Sequence, residues 1–142
     1  MKKLLLAAFA GVFLANVAIA QSTIDANGLL ADAAGRTLYT YDKDADNKSN
    51  CNGGCAAAWP PYLVKEGDRN PSNISVVRRE DNTLQWAING KPLYYYAADA
   101  QRGDVKGDGQ GGVWHAVHTE GKRTQANAMR KMDGNWSYGG TY

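Results

Sequence analysis

The rarest reactive side chains in this 142-residue sequence are two cysteines and two histidines. Cys51 and Cys55 stand four apart. In an oxidising compartment such thiols pair, and a disulfide closing so short a loop contributes about 2 kcal/mol by limiting the unfolded chain. The same Cys51-x-x-x-Cys55 spacing can present two sulfurs to one copper ion, or serve as a thiol redox pair. The disulfide is the expectation and the copper or redox pair its rival. His115-x-x-His118 is the histidine pair, and imidazole is the commonest metal ligand. Residues three apart in a strand face opposite sides, so the two rings meet one ion only across a bulge; one of them meeting the cysteine pair is the other route to a metal. Asp42-x-Asp44-x-Asp46-Asn47 has the alternating oxygens of the first half of a calcium loop, but Asn47 and Gly53 fall where such a loop needs its glycine and its bidentate glutamate. A solvated Asx-rich turn is the expectation. Asp42, Asp44, Asp46, His115 and His118 are therefore the metal candidates, for copper or calcium, and no cofactor is predicted. Asp44 and Asp99 are the carboxylates a hydrolase would pair, the third reading after binding and redox. No nucleophile elbow, P-loop, dinucleotide fingerprint, zinc-protease helix or haem-attachment motif occurs, so no catalytic residue is expected.

What positions these residues is an internal duplication. At an offset of 55, Gly35 to Asp44 aligns with Gly90 to Asp99, and Gly, Leu, both Tyr positions and Asp recur (Gly35/Gly90, Leu38/Leu93, Tyr39/Tyr94, Tyr41/Tyr96, Asp44/Asp99). The same offset pairs Leu29 with Leu84 and Trp59 with Trp114. Two copies predict a pseudo-symmetric domain, since a solenoid needs at least three repeats. The units run from about 28 to 61 and from about 83 to 118. Each reads as a β-hairpin followed by a long Gly/Asp-rich loop. Leu84–Ile88 and Lys91–Tyr96 flank Asn89-Gly90, the dipeptide that favours a two-residue type I′ turn; Leu29–Asp32 and Arg36–Tyr41 flank the longer Ala33-Ala34-Gly35. Ile74–Arg79 and Gly112–His118 read as further strands. Tyr39 and Tyr41, like Tyr94 and Tyr96, are two apart and share one strand face. No long helical period is present. The fold expected is all-β and mainly antiparallel.

At Asp44 and Asp99 the repeats offer a carboxylate to a backbone amide or a hydroxyl within each unit, which explains their recurrence without catalysis. The cysteines correspond at the same offset to Lys106 and Gln110, so the second unit builds its loop without them.

Residues 1–20 open with Lys2 and Lys3, continue as an apolar run and end in Ala18-Ile19-Ala20, the pattern of a cleavable secretory signal. The apolar run is short for a membrane span, and no cationic stop-transfer cluster follows. The domain is then 21–142, with 119–142 a C-terminal extension. The net charge of +2 is carried by the two signal lysines. A neutral mature domain lacks the basic face that nucleic acid demands, and the cluster Lys122, Arg123, Arg130 and Lys131 reads as a solvated tail. Both phenylalanines, Phe9 and Phe13, leave with the signal, so a thin core rests on Tyr and Trp.

Tyr39-x-Tyr41-x-x-Asp44 and Tyr94-x-Tyr96-x-x-Asp99, followed in the first copy by Cys51, Cys55 and Trp59-Pro60-Pro61, resemble the bacterial secreted-repeat, predicted-lipoprotein family defined by Y-x-[FWY]-x-x-D. The resemblance spans roughly Gly28 to His118 and implies a small extracytoplasmic β domain with no assigned chemistry. No cysteine stands at the cleavage site, so a lipid anchor is not carried over. The expectation is a soluble periplasmic or secreted module, non-catalytic, binding a cell-envelope glycan or protein or associating with the envelope. Tyr and Trp would supply its contact surface, although Tyr39, Tyr41, Tyr94 and Tyr96 read more readily as core.

Overall fold

The computed structural model describes residues 23–69 and 73–119. The expected signal segment, residues 1–20, and all but the first residue of the expected 119–142 extension lie outside them. Seven strands and one short helix follow in order: β1 (Thr23–Ala26), β2 (Leu29–Asp32), β3 (Tyr39–Tyr41), α1 (Gly54–Ala58), β4 (Ile74–Arg78), β5 (Leu84–Ile88), β6 (Lys91–Pro92) and β7 (Trp114–Ala116), with a 3-10 turn at Gln110–Gly112. All named ladders are antiparallel: β1 with β2, β3 with β7, and β4-β5-β6. The predicted all-β class is the observed one.

Turn chemistry sets the local pieces. Asn89 and Gly90 both take positive φ, 50° and 75°, closing β5 onto β6 with Ile88 opposite Lys91, as an Asn-Gly type I′ turn requires. A second Asn-Gly turn was not anticipated: Asn27 and Gly28, at φ 59° and 84°, close β1 onto β2. The Ala33-Ala34-Gly35 turn also forms, through the Ala31–Thr37 bridge.

The departure from the expected pair of self-contained hairpins lies beyond the turns. Strand β3 of the first unit pairs with β7 of the second, Tyr39 opposite Ala116 and Tyr41 opposite Trp114. In return Tyr94 bridges Pro61, and the amides of Tyr95 and Ala97 donate to the carbonyls of Pro60 and Ala58 at 2.8 and 2.9 Å. The Trp59-Pro60-Pro61 corner is thus the counterpart of β7, reduced to a bridge because proline has no N–H to give a ladder. Each unit's last segment completes the other unit's sheet. At the centre Tyr39 and Tyr94 exchange backbone hydrogen bonds, 2.8 Å one way and 2.9 Å the other, so the pseudo-twofold axis passes between them.

Two packed clusters result. Leu30, Leu38, Tyr62, Ile74, Trp86 and Leu93 form one, and Tyr39, Cys51, Trp59, Tyr94, Trp114 and Ala116 the other.

The register also needs correction upstream of the turns. The amide of Leu38 donates to Leu30 and that of Leu93 to Trp86; the amide of Leu30 donates to Val117 and that of Trp86 to Tyr62. Leu30 therefore corresponds to Trp86, an offset of 56, and the expected Leu29–Leu84 equivalence fails by one residue. The tighter Asn-Gly turn in the second unit accounts for the slip. Leu30 and Trp86, the residues this register matches, are both buried, while Leu84 at the start of β5 is exposed.

Candidate functional site

The repeated aromatics build one continuous stack. Tyr41 stacks on Trp114 at 4.2 Å between ring centroids, Trp114 on Trp59 at 3.9 Å with planes 3° apart, and Trp59 on Tyr96 at 4.2 Å. Tyr39 meets Trp59 edge-on at 5.5 Å, and Tyr94 meets Trp114 likewise at 5.2 Å. Each ring of one unit has its counterpart in the other, and Tyr39, Tyr94, Trp59 and Trp114 are all buried. These four residues are core, so they provide no contact surface. Gly107 packs against the stack: a Cβ there would lie 2.7 Å from the Trp59 ring.

Asp44 and Asp99 fasten this stack across the units. Asp99 accepts the Tyr39 hydroxyl at 2.6 Å and the Lys106 amide at 2.9 Å. Asp44 accepts the Tyr94 hydroxyl at 2.7 Å and the Asn50 amide at 2.7 Å. The backbone amide comes from the same unit, but the hydroxyl comes from the other. With both oxygens of each engaged, these carboxylates act as cross-links between repeats. Burial pushes the Tyr39 and Tyr94 phenols far above the ordinary phenol range, reinforced by the neighbouring carboxylate in each case. Burial likewise raises Asp44, while the Asn50 amide, the Tyr94 hydroxyl and the Arg79 charge oppose the rise.

Arg79 is a buried cation that sequence reasoning did not single out. Its guanidinium donates to Ser49 Oγ at 2.9 Å, Gln85 Oε1 at 2.7 Å, the Cys51 carbonyl at 2.9 Å and Asn52 Oδ1 at 3.1 Å. Ser49 Oγ in turn lies 2.6 Å from the Tyr94 hydroxyl. A polar chain therefore runs from Arg79 through Ser49 and Tyr94 to Asp44, tying the cysteine loop to the β4–β5 hairpin. Cys51 and Cys55 are joined in a disulfide at the start of α1, so in this state neither sulfur is a thiolate ligand. No pattern of spacing marks Arg79; only burial distinguishes it from the exposed Arg78 beside it.

The remaining candidates lie elsewhere. His115 Nε2 is 2.7 Å from Asp42 Oδ2, with both side chains about half exposed. Asp46 is exposed. Among the described residues, no three His, Cys, Asp or Glu side chains converge to hold a metal ion. The calcium-like alternation is split, with Asp42 on His115 and Asp44 on Tyr94.

Asp42, His115 and His118 do come together in another sense, on the wall of an open cleft of about 760 Å³. Leu30, Ile88, Ala116 and Val117 give it an apolar lining; Thr40, Asn73, Asn89, Lys91 and Thr119 complete the polar part. Thr119 is held by its hydroxyl on the Asp25 carboxylate. The two halves of the molecule are alike in the aromatic stack and unlike here. At the equivalent ladder positions, His115 is replaced by Pro60, Asp42 by Ala97 and His118 by Leu63. What recurs in both units is the scaffold; the cleft's polar groups belong to one half alone.

No helix among the described residues is long and apolar enough to cross a membrane. No curated protein and no solved structure matches the chain. A family described as a secreted repeat of unknown function matches residues 23–62 and again residues 75–118, one match to each interlocked unit, and the chain belongs to that family.

Proposed function

We propose that this secreted repeat is a non-catalytic binding module of the periplasm or cell exterior, that its contact site is the cleft lined by Thr40, Asp42, Lys91, His115 and His118, and that its partner is a cell-envelope glycan or protein. The observation that supports this reading is the asymmetry of the cleft. A concave site of this size is typical of ligand-binding pockets, and the same backbone frame stands in the other half with Pro60, Ala97 and Leu63 in place of His115, Asp42 and His118, so folding does not demand these polar groups. The carboxylates a hydrolase would need are occupied by Tyr39 and Tyr94, and the sulfurs a copper site would need as thiolates are joined to each other.

Titration of isotope-labelled protein with solubilised envelope glycan, and separately with purified envelope proteins, tests the reading by amide chemical shifts. Saturable changes centred on Thr40, Lys91, His115 and His118 are expected. Saturable binding that perturbs only the Pro60–Ala97 side, or no response to either class, would refute it.

A further inference from the structure

The hydrogen-bond register that relates the two units also shows what has been removed to make the cleft. Thr40 occupies the position of Tyr95, Val117 that of Tyr62, and Leu30 that of Trp86. At all three positions the closed half carries an aromatic ring and the cleft half a smaller side chain.

In the closed half the Tyr95 ring sits edge-on to Tyr62, with centroids 5.4 Å apart. The Arg36 guanidinium lies 4.0 Å over its face, and its hydroxyl donates to Asp32 Oδ2 at 2.8 Å. A ring, a cation over it and a carboxylate at its polar tip make a complete phenol site, filled by the chain itself. The cleft half keeps the cation but lacks the ring. Lys91 stands at the position of Arg36 and lines the cleft, beside Thr40. Thr40 is paired across the strands with His115, which carries Asp42. The counterpart of Asp32 is Ile88 on the upstream register, so the acceptor that holds the Tyr95 hydroxyl is not repeated here; the Asp42–His115 pair is a polar group of the cleft wall.

We propose that the cleft binds a small phenolic molecule, its ring taking the place of the Tyr95 ring, with Lys91 over its face and its hydroxyl directed to Asp42 and His115. This goes beyond the glycan or protein partner proposed above and rests on the reading of the cleft as a contact site. An aromatic face attracts an ammonium group through its quadrupole, whereas a saturated ring of the same size has only its apolar area to offer. That difference separates a phenol site from a merely greasy hollow.

The probe is p-cresol, followed by amide shifts in the intact protein, with cyclohexylmethanol as the saturated control. Saturable shifts at Thr40, Lys91 and Val117 are expected with p-cresol and clearly weaker binding with the control. T40Y restores the missing ring from within the chain; it should abolish p-cresol binding and raise the melting temperature. Because T40Y places a large side chain beside the core, exposed Lys91 provides a second variant. Lys91→Gln should keep the wild-type melting temperature and weaken p-cresol about threefold, the worth of a solvent-exposed cation over a ring. The assignment is overturned if p-cresol fails to saturate at the cleft, if folded T40Y binds it as well as wild type, if Lys91→Gln binds it undiminished, or if cyclohexylmethanol binds equally. Envelope material that perturbs the cleft while p-cresol does not would overturn the phenol alone and leave the binding module standing.

Discussion

Raising the pH above 10 should unfold this domain cooperatively, and the driving groups are its buried phenols. Tyr39 and Tyr94 are fully buried, Tyr62 nearly so and Tyr95 in large part, and burial raises all four above the ordinary phenol value of 10.0. The sign follows from proton linkage. Above pH 10 the unfolded chain loses these protons and the folded chain retains them, so the unfolded state binds fewer and stability falls as pH rises. The contribution is complete below pH 10 and is lost progressively up to the raised folded values. Each phenol withheld from ionising removes about 1.4 kcal/mol per pH unit, so four together remove about 5.5 kcal/mol per pH unit. A small domain near the low end of the usual range, about 5 kcal/mol, therefore unfolds close to pH 11. Phenolate absorbance and near-ultraviolet circular dichroism, recorded along one titration, provide the assay. Exposed tyrosines ionise first and gradually, and the buried ones ionise together as the dichroism collapses. Tyr94→Phe should reduce the slope of stability against pH by about 1.4 kcal/mol per unit. A single gradual phenolate curve with dichroism intact through pH 12 would refute the burial of these rings.

Other expectations concern the scaffold. Trp59→Ala and Trp114→Ala should each cost about 3–5 kcal/mol in urea unfolding, by similar amounts because the two indoles are counterparts in the stack; a large inequality would count against the pseudo-symmetry. Gly107→Ala, whose new Cβ would lie 2.7 Å from the Trp59 ring, should destabilise by about 1–3 kcal/mol, and an unchanged melting temperature would contradict that packing. Reduction of Cys51–Cys55 should lower stability by about 2 kcal/mol, measured by urea midpoint with and without reductant; no change would remove the stapling role. Replacing Asn89-Gly90 by Val-Val puts β-branched residues where φ is 50° and 75°, so the melting temperature should fall.

Much of this molecule was legible in its sequence because much of it is local. Asn89-Gly90 announces its own turn through the positive φ that only such residues accept readily, and Asn27-Gly28 carries the same signal in the stretch just ahead of the aligned repeats. The duplication was visible because Gly, Leu, Tyr and Asp recur at one spacing, and the cysteine pair because four residues leave a chain little choice of distance. The offset of 55 could not reveal the slip to 56 at Leu30 and Trp86. Two different side chains occupy that core position, and Leu29 and Leu84 gave a false match beside it.

The sequence determined most of the strands and turns, though not β1 or the length of β3, β6 and β7, together with the recurrence of tyrosine and aspartate and the family. Tertiary structure alone decided which unit each strand would join, that Asp44 and Asp99 would each hold the other unit's tyrosine, that Arg79 would be buried, and that Thr40, Val117 and Leu30 would line a cleft where the other unit places Tyr95, Tyr62 and Trp86. The physical reason is that backbone hydrogen bonds between strands are the same for every residue type but proline. Pairing within a unit and pairing across units therefore look identical along the chain, and only the packing of the stacked rings at the axis chooses between them.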